Sequence, residues 1–186
     1  MFEFPDTENR GWMGGCNLGL KAASGYDYVI LANDDILVPS VCDWLKSMID
    51  VMEDKKECGI LTPVTVNAMG WVRLSVQNCT INKPYAVPYC SFYFVMLRKE
   101  MVDKIGLLDE DLPGGDDLDY CYRAKKAGYV IGVNPHVFVW HHYAQTGKRI
   151  HGEYWDSKEH NEKIKFALIK KHGFKEWIDS EISNHF

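Results

Sequence analysis

The chain has 186 residues, enough for one well-cored domain and too few for two comfortable ones. Its 46% hydrophobic and 25% charged residues are ordinary for a soluble globular protein, and a formal net charge of −5 argues against a nucleic-acid binder working through a general basic surface. Six cysteines, Cys16, Cys42, Cys58, Cys79, Cys90 and Cys121, include no Cys-x-x-Cys pair; this speaks against a zinc site or dithiol centre and for a reducing, cytoplasmic setting.

Taken in order, residues 1–4 read as a short strand and residues 5–11 as a loop rich in turn formers. No basic region leads into an apolar one there, and no later stretch reaches membrane-spanning length, so neither secretion nor insertion is expected. Residues 14–23 form a glycine-led helix with Gly25 as its stop. Tyr28-Val29-Ile30-Leu31-Ala32 then reads as a strand buried on both faces, as parallel strands are, and it stops abruptly in Asn33-Asp34-Asp35.

Ser40 is placed to cap a helix on which Val41, Trp44, Leu45, Met48 and Met52 recur at helical spacing. A strand over 59–64 carries Pro63, which suggests an edge or an ending. Residues 67–89 show no clear period and form a long excursion. A strand over 91–97, a short helix over 98–105 and the acidic loop 109–119 follow; that loop leads into a helix stopped by Gly128. Two strands, 129–133 and 137–140, run into His141-His142, and a helix over 156–172 pairs Glu159 with Lys163 and stops at Gly173. Neither a repeat nor a low-complexity segment interrupts residues 1–186, which are expected to form a single domain.

Three clusters could carry chemistry: Asn33-Asp34-Asp35, Asp116-Asp117-x-Asp119 and His141-His142. Each also has a plain explanation. The first could be a polar turn, the second a set of charges complementing a helix dipole, and the third a packed or solvated histidine. Together they describe a mechanism, in which a divalent metal held by Asp35 and an imidazole neutralises a diphosphate leaving group while Asp117 takes a proton from an attacking hydroxyl. A helix N-terminus is expected to keep Asp117 ionised near neutrality and so to weaken its basicity.

Five ordered motifs now matter: Asn17-Leu18-Gly19-Leu20 with Ala23 and Gly25; Ile30-Leu31-Ala32-Asn33-Asp34-Asp35; Gly106-Leu107-Leu108-Asp109-Glu110; Asp116-Asp117-Leu118-Asp119-Tyr120-Cys121-Tyr122-Arg123 with Gly128-Tyr129; and Val139-Trp140-His141. In order and spacing they resemble family 2 glycosyltransferases of the GT-A fold. The resemblance implies an α/β domain with a Rossmann-like mixed sheet flanked by helices. It also implies inverting transfer of a sugar from a UDP-, dTDP- or GDP-sugar to a hydroxyl of a carbohydrate or glycoconjugate acceptor, with Mn²⁺ or Mg²⁺ as cofactor. By the same likeness Asp35 and His141 hold the metal, Asn17, Asn33 and Asp34 contact the donor nucleotide, and Asp117 is the catalytic base. Asp116 stands where the family usually has Glu, a shorter arm on the acceptor side.

The front departs from the family. The strand ending in a Pro-Thr-Tyr-Asn-like turn, and the next ending in a base-reading Asp, are not found, so the chain reads as truncated at its N-terminal side. A sheet edge beside the strand ending at Asn33 is therefore expected to be exposed, a surface through which two copies could pair. Two further readings stay open: a non-catalytic or incomplete glycosyltransferase subunit needing a partner chain, and a nucleotidyltransferase, for which no Gly-rich basic phosphate loop is evident. Trp71, Trp140, Tyr143 and Trp155 are candidates for a sugar platform or for the core, Trp71 being assigned to the acceptor side. Thr146 and Gly147 are candidates for a mobile cover over the diphosphate.

Overall fold

The computed structural model describes residues 10–40, 43–66, 83–142, 149, 152, 154 and 157–173. Its elements in chain order are α1 (Gly11–Ala22), β1 (Tyr28–Ala32), β2 (Ile36–Leu37), α2 (Trp44–Asp54), β3 (Cys58–Val64), β4 (Tyr85–Val87), β5 (Phe94–Arg98), α3 (Lys99–Ile105), α4 (Asp116–Lys126), β6 (Val130–Phe138), β7 (Trp140–His141) and α5 (Lys158–His172). Five strands form one mixed sheet in the order β1-β5-β3-β6-β4, flanked by helices; β2 and β7 form a separate two-stranded ribbon. The expected α/β architecture is therefore present. The residues expected to form a strand over 1–4 lie outside the described residues, as do Trp71, Tyr143, Thr146, Gly147 and Trp155.

The centre of the sheet follows from its apolar runs. Every residue of β3 and β5 is buried, which is what strands covered on both faces require. On α2, Met48 and Met52 lie one turn apart and are fully buried, so this helix seals one face with a narrow apolar stripe. Arg98, at the end of β5, is also buried. Its Nε donates to the Cys58 carbonyl at 2.9 Å and its Nη2 to the Met52 carbonyl at 2.6 Å, placing a cation on carbonyls left open at the α2 C-terminus.

Several local expectations are corrected. β1 is not a parallel strand buried on both faces: it pairs antiparallel with β5 at the end of the sheet, and three of its five residues are half-buried. Among the described residues its other edge meets no strand. Pro63 lies in a central strand, tolerated because the β3/β6 register shifts between Pro63 and Val64, where no regular ladder bond is needed from a proline. Asp43 rather than Ser40 caps α2, accepting from the Lys46 amide at 3.1 Å. The two strands expected around Asn134-Pro135 are one, with Asn134 buried and its Nδ2 donating to Ser47 Oγ at 3.1 Å. The end of the long excursion forms β4, antiparallel to β6.

α5 is capped by Ser157, whose hydroxyl accepts from the His160 amide, and ends at Gly173 in the left-handed region. It is packed over the turn that enters α4. Gly114 (φ 148°) and Gly115 (φ 70°) lie beneath Ile164, and a Cβ on either would stand within 2.8 Å of it. A side chain at either position would have to displace Ile164 and take a backbone conformation that favours glycine. Polar contacts then fix the far end of the helix. Asp119 is completely buried, and accepts from Arg123 Nε at 2.9 Å, Lys171 Nζ at 2.7 Å and His172 Nε2 at 2.6 Å.

Burial pushes the Asp119 carboxyl up, but the hydrogen bonds from Lys171, Arg123 and His172 outweigh it and hold it below the ordinary value. A depressed folded value means that the stabilisation is present above the unfolded pKa of about 3.9 and is lost as pH falls through the folded one. Asp119→Asn is therefore expected to cost about 3 kcal/mol at neutral pH, because it removes the fully buried anion around which Arg123, Lys171 and His172 are gathered. Urea unfolding of both proteins checks this: the difference should shrink below about pH 4.

Candidate active site

β1 ends at Ala32, and the chain turns through Asp34 and Asp35 directly into β2. Two backbone bonds hold this turn: the Asn33 amide donates to the Tyr93 carbonyl at 2.9 Å and the His142 amide to the Asp35 carbonyl at 3.1 Å. The β2/β7 ribbon pairs Ile36 with His141 and Leu37 with Trp140. Side chains alternate along a strand, so His141 faces inward, buried, while Trp140 and Leu37 are exposed. His141 Nε2 comes to rest 3.3 Å from Asp35 Oδ1 and 3.2 Å from Asn33 Nδ2, with the Tyr93 ring stacked on the imidazole at 5.4 Å.

Asp35 Oδ1 is buried and makes no aligned hydrogen bond. In the tautomer whose Nε2 accepts from Asn33 Nδ2, that nitrogen carries the lone pair with which histidine ligates metals, and a metal would take it in place of the Asn33 hydrogen bond. Asp35 Oδ1 and His141 Nε2, 3.3 Å apart, would then be two donor atoms for one cation. Among the described residues no cluster of three His, Cys, Asp or Glu exists, so Asp35 and His141 would supply only part of a shell. A hard cation such as Mg²⁺ commonly completes such a shell with water and phosphate oxygens.

The second half of the site is the start of α4. Asp117 Oδ1 accepts from the Leu118 amide at 2.8 Å. Burial, and next the charge of Asp116, push the Asp117 carboxyl up to about 7. This corrects the expectation that the helix N-terminus keeps it low: the amides of Leu118 and Asp117 do pull it down, but desolvation is larger. Asp116 is raised too, chiefly by burial, and its Oδ2 accepts from the Trp12 indole Nε1 at 3.0 Å. Cys90, itself deeply buried, feels the Asp117 charge, and Tyr93 lies three residues further on. Three residues span at most about 11 Å, so one short segment borders both the Asp35–His141 pair and the α4 turn.

Asn33 and Asp35 are thus brought together with His141, and Asp116 sits beside Asp117. Asp34 is exposed at the tip of the turn. Asn17 is buried with its amide committed to the loop after α3: Nδ2 donates to Leu108 O at 2.9 Å and to Glu110 Oε1 at 2.7 Å, and Oδ1 accepts from Leu108 N at 2.9 Å. Two neighbours of the site, Tyr93 and Trp12, were not singled out from the sequence. Tyr93 is hidden inside an apolar run, and the only signal for Trp12 is a large aromatic among glycines at the start of α1.

The sequence matches the family model described as glycosyl transferase family 2 over residues 4–106, more than half of the chain. The chain belongs to glycosyl transferase family 2. No protein among those of curated function matches it. Similar solved structures include GalNAc-T7 in complex with UDP, GalNAc and Mn²⁺, at 16% identity and a TM-score of 0.61, covering 74% of this chain and 31% of that one. The mannosyltransferase PcManGT from Pyrobaculum calidifontis, in complex with GDP-Man and Mn²⁺, is 22% identical with a TM-score of 0.57, over 76% of this chain and 39% of that one. S. aureus TarS 1–349 is 14% identical with a TM-score of 0.52, over 93% of this chain and 56% of that one. These likenesses show a shared GT-A fold, and the chain spans from 31% to 56% of those proteins' lengths. No helix among the described residues is long and apolar enough to cross a membrane.

The raised carboxyl has a stability signature of its own. A folded value above the unfolded one means that its contribution is fully present below pH 3.9 and is lost as pH rises through about 7. Thermal unfolding of Asp117→Asn beside the wild type should therefore show the variant gaining relative stability from about pH 4 to about pH 7 and no further gain above that.

Proposed function

We propose that this chain is the catalytic domain of a metal-dependent, inverting glycosyltransferase that moves a sugar from a nucleoside diphosphate sugar to an acceptor hydroxyl. The observation that carries the reading is the buried, hydrogen-bond-free Asp35 Oδ1 set against His141 Nε2 in a family 2 chain. A divalent cation held by these two residues would supply charge neutralisation to the departing diphosphate.

The chain's own groups do the rest. Asn33 orients the His141 imidazole, and Asp34, exposed at the turn, faces the donor side. Asp117 accepts the proton of the attacking hydroxyl; a carboxyl pushed up to about 7 is a stronger base than an ordinary aspartate while still largely ionised just above neutrality. Inversion follows if that hydroxyl attacks the anomeric carbon on the face opposite the diphosphate. Asn17 acts one step back, holding the loop at Leu108 against α1. The donors in the PcManGT and GalNAc-T7 complexes, GDP-Man and UDP, support nucleoside diphosphates as the ligand class to try first.

Calorimetric titration of UDP and GDP with and without Mn²⁺ tests the donor site. Binding should require the metal and be lost in Asp35→Ala. Asp117→Asn should keep nucleotide binding while transfer falls by about 10²- to 10⁴-fold. In the wild type, kcat/KM should rise with pH through about 7 and then level, as expected for a base that must be ionised in the free enzyme. Full transfer activity in Asp117→Asn would remove it from the base role.

A further inference from the structure

Trp12 is the largest side chain near the α4 turn. The residue is 36% exposed, whereas its helix neighbour Met13 is partly buried and packs against the core. Among the described residues its only polar or ring partner is Asp116, through Nε1–H to Oδ2 at 3.0 Å. The hydrogen bond fixes the edge of the indole beside the α4 turn while part of the side chain stays open to solvent.

The anchor is itself well placed. Asp116 is half-buried and accepts from its own amide as well as from the indole. The Cys16 thiol, one turn along α1 from Trp12, is raised chiefly by burial and further by the Asp116 charge, which puts that carboxylate against the Trp12–Cys16 face of α1. Asp116 thus bridges α1 to α4 and holds the ring by its edge. Its successor in the chain is Asp117, with about 3.8 Å between their Cα atoms.

We propose that Trp12 is an acceptor-side platform, its indole face taking the apolar C–H face of a pyranose that presents a hydroxyl to Asp117, with Asp116 positioning the ring. This rests on the reading of Asp117 as the base of a glycosyltransferase. The chemistry suits the ligand: a pyranose offers axial C–H groups on a face and hydroxyls around its rim, and sites for such molecules combine aromatic walls with a few placed polar groups. A fixed platform also limits the orientations in which the hydroxyl meets its base. The role assigned to Asp116 changes accordingly, from direct acceptor contact to holding the residue that makes it.

Saturation-transfer NMR on the full chain with UDP and Mn²⁺ tests this without turnover. The probes are the methyl β-glycosides of glucose, galactose, mannose and N-acetylglucosamine. At least one should receive saturation on its ring C–H protons, in the wild type and in Asp117→Asn alike. The signal should fall about fivefold or more in Trp12→Ala and largely persist in Trp12→Phe, which keeps an aromatic face. Should Trp12→Ala fail to fold, the Trp12 indole Nε1–H resonance of ¹⁵N-tryptophan-labelled wild type, assigned by its disappearance in Trp12→Phe, gives the same answer by shifting or not shifting with glycoside. Undiminished saturation in Trp12→Ala, an unmoved Trp12 resonance, or no glycoside contact at all overturns the proposal. Failure of the glycosyltransferase reading looks different: absent nucleotide binding and absent transfer, both measured separately from glycoside contact.

Discussion

The site depends on a ribbon of two residues against two. Without the pairing of Ile36 with His141 and Leu37 with Trp140, the histidine would have no reason to meet a carboxylate that is more than a hundred positions away. The ribbon works because β1 ends in a tight turn instead of running on into a helix. Asp34 and Asp35 reverse the chain, the Tyr93 and Asp35 carbonyls accept the Asn33 and His142 amides, and strand alternation directs His141 inward. The polar-turn reading and the proposed ligand role of Asn33-Asp34-Asp35 are thus compatible, since the turn is what sets the Asp35 carboxylate against His141.

The second constraint is electrostatic and lies within one turn of α4. Asp117 and Asp119 are two positions apart, which on an α-helix points their side chains to nearly opposite sides. One meets burial and the charge of Asp116, and is pushed up. The other, fully buried, meets Lys171, Arg123 and His172, and is held down. Two carboxyls on one helix are driven apart by their neighbours, which is how a single element can offer a base near neutrality and a permanent anion for structure. The anion anchors α5, and α5 presses Ile164 onto the glycine turn that leads to Asp116 and Asp117.

Family membership and this arrangement reinforce one another without being the same argument. The family match covers residues 4–106 and so stops short of α4 and of β7. That Asp117 and His141 nevertheless come to stand around the segment at Cys90 and Tyr93 is a property of the fold. Trp12 enters the same neighbourhood from the other end of the chain, 104 positions from the carboxylate that holds it.

Apart from the short strands β2 and β4, the elements were legible from local pattern: the apolar runs of β1, β3 and β5, the Glu159–Lys163 pair on α5 and the acids at the end of β1 and the start of α4. Propensity, capping and periodicity act over a few residues, so the sequence alone determined these, and the order of its motifs pointed to the family. It did not determine how the strands neighbour one another. β1 lies antiparallel at the edge, and Pro63 sits at a register shift in a central strand, because sheet order is set by packing between distant segments. The rise of Asp117 was likewise hidden, since desolvation by the whole fold outweighs the local helix amides. That His141 meets Asp35 was implied by the family resemblance and by no local pattern, and which indole meets Asp116 was decided by the tertiary structure alone, for contacts between residues a hundred apart leave no period in the chain.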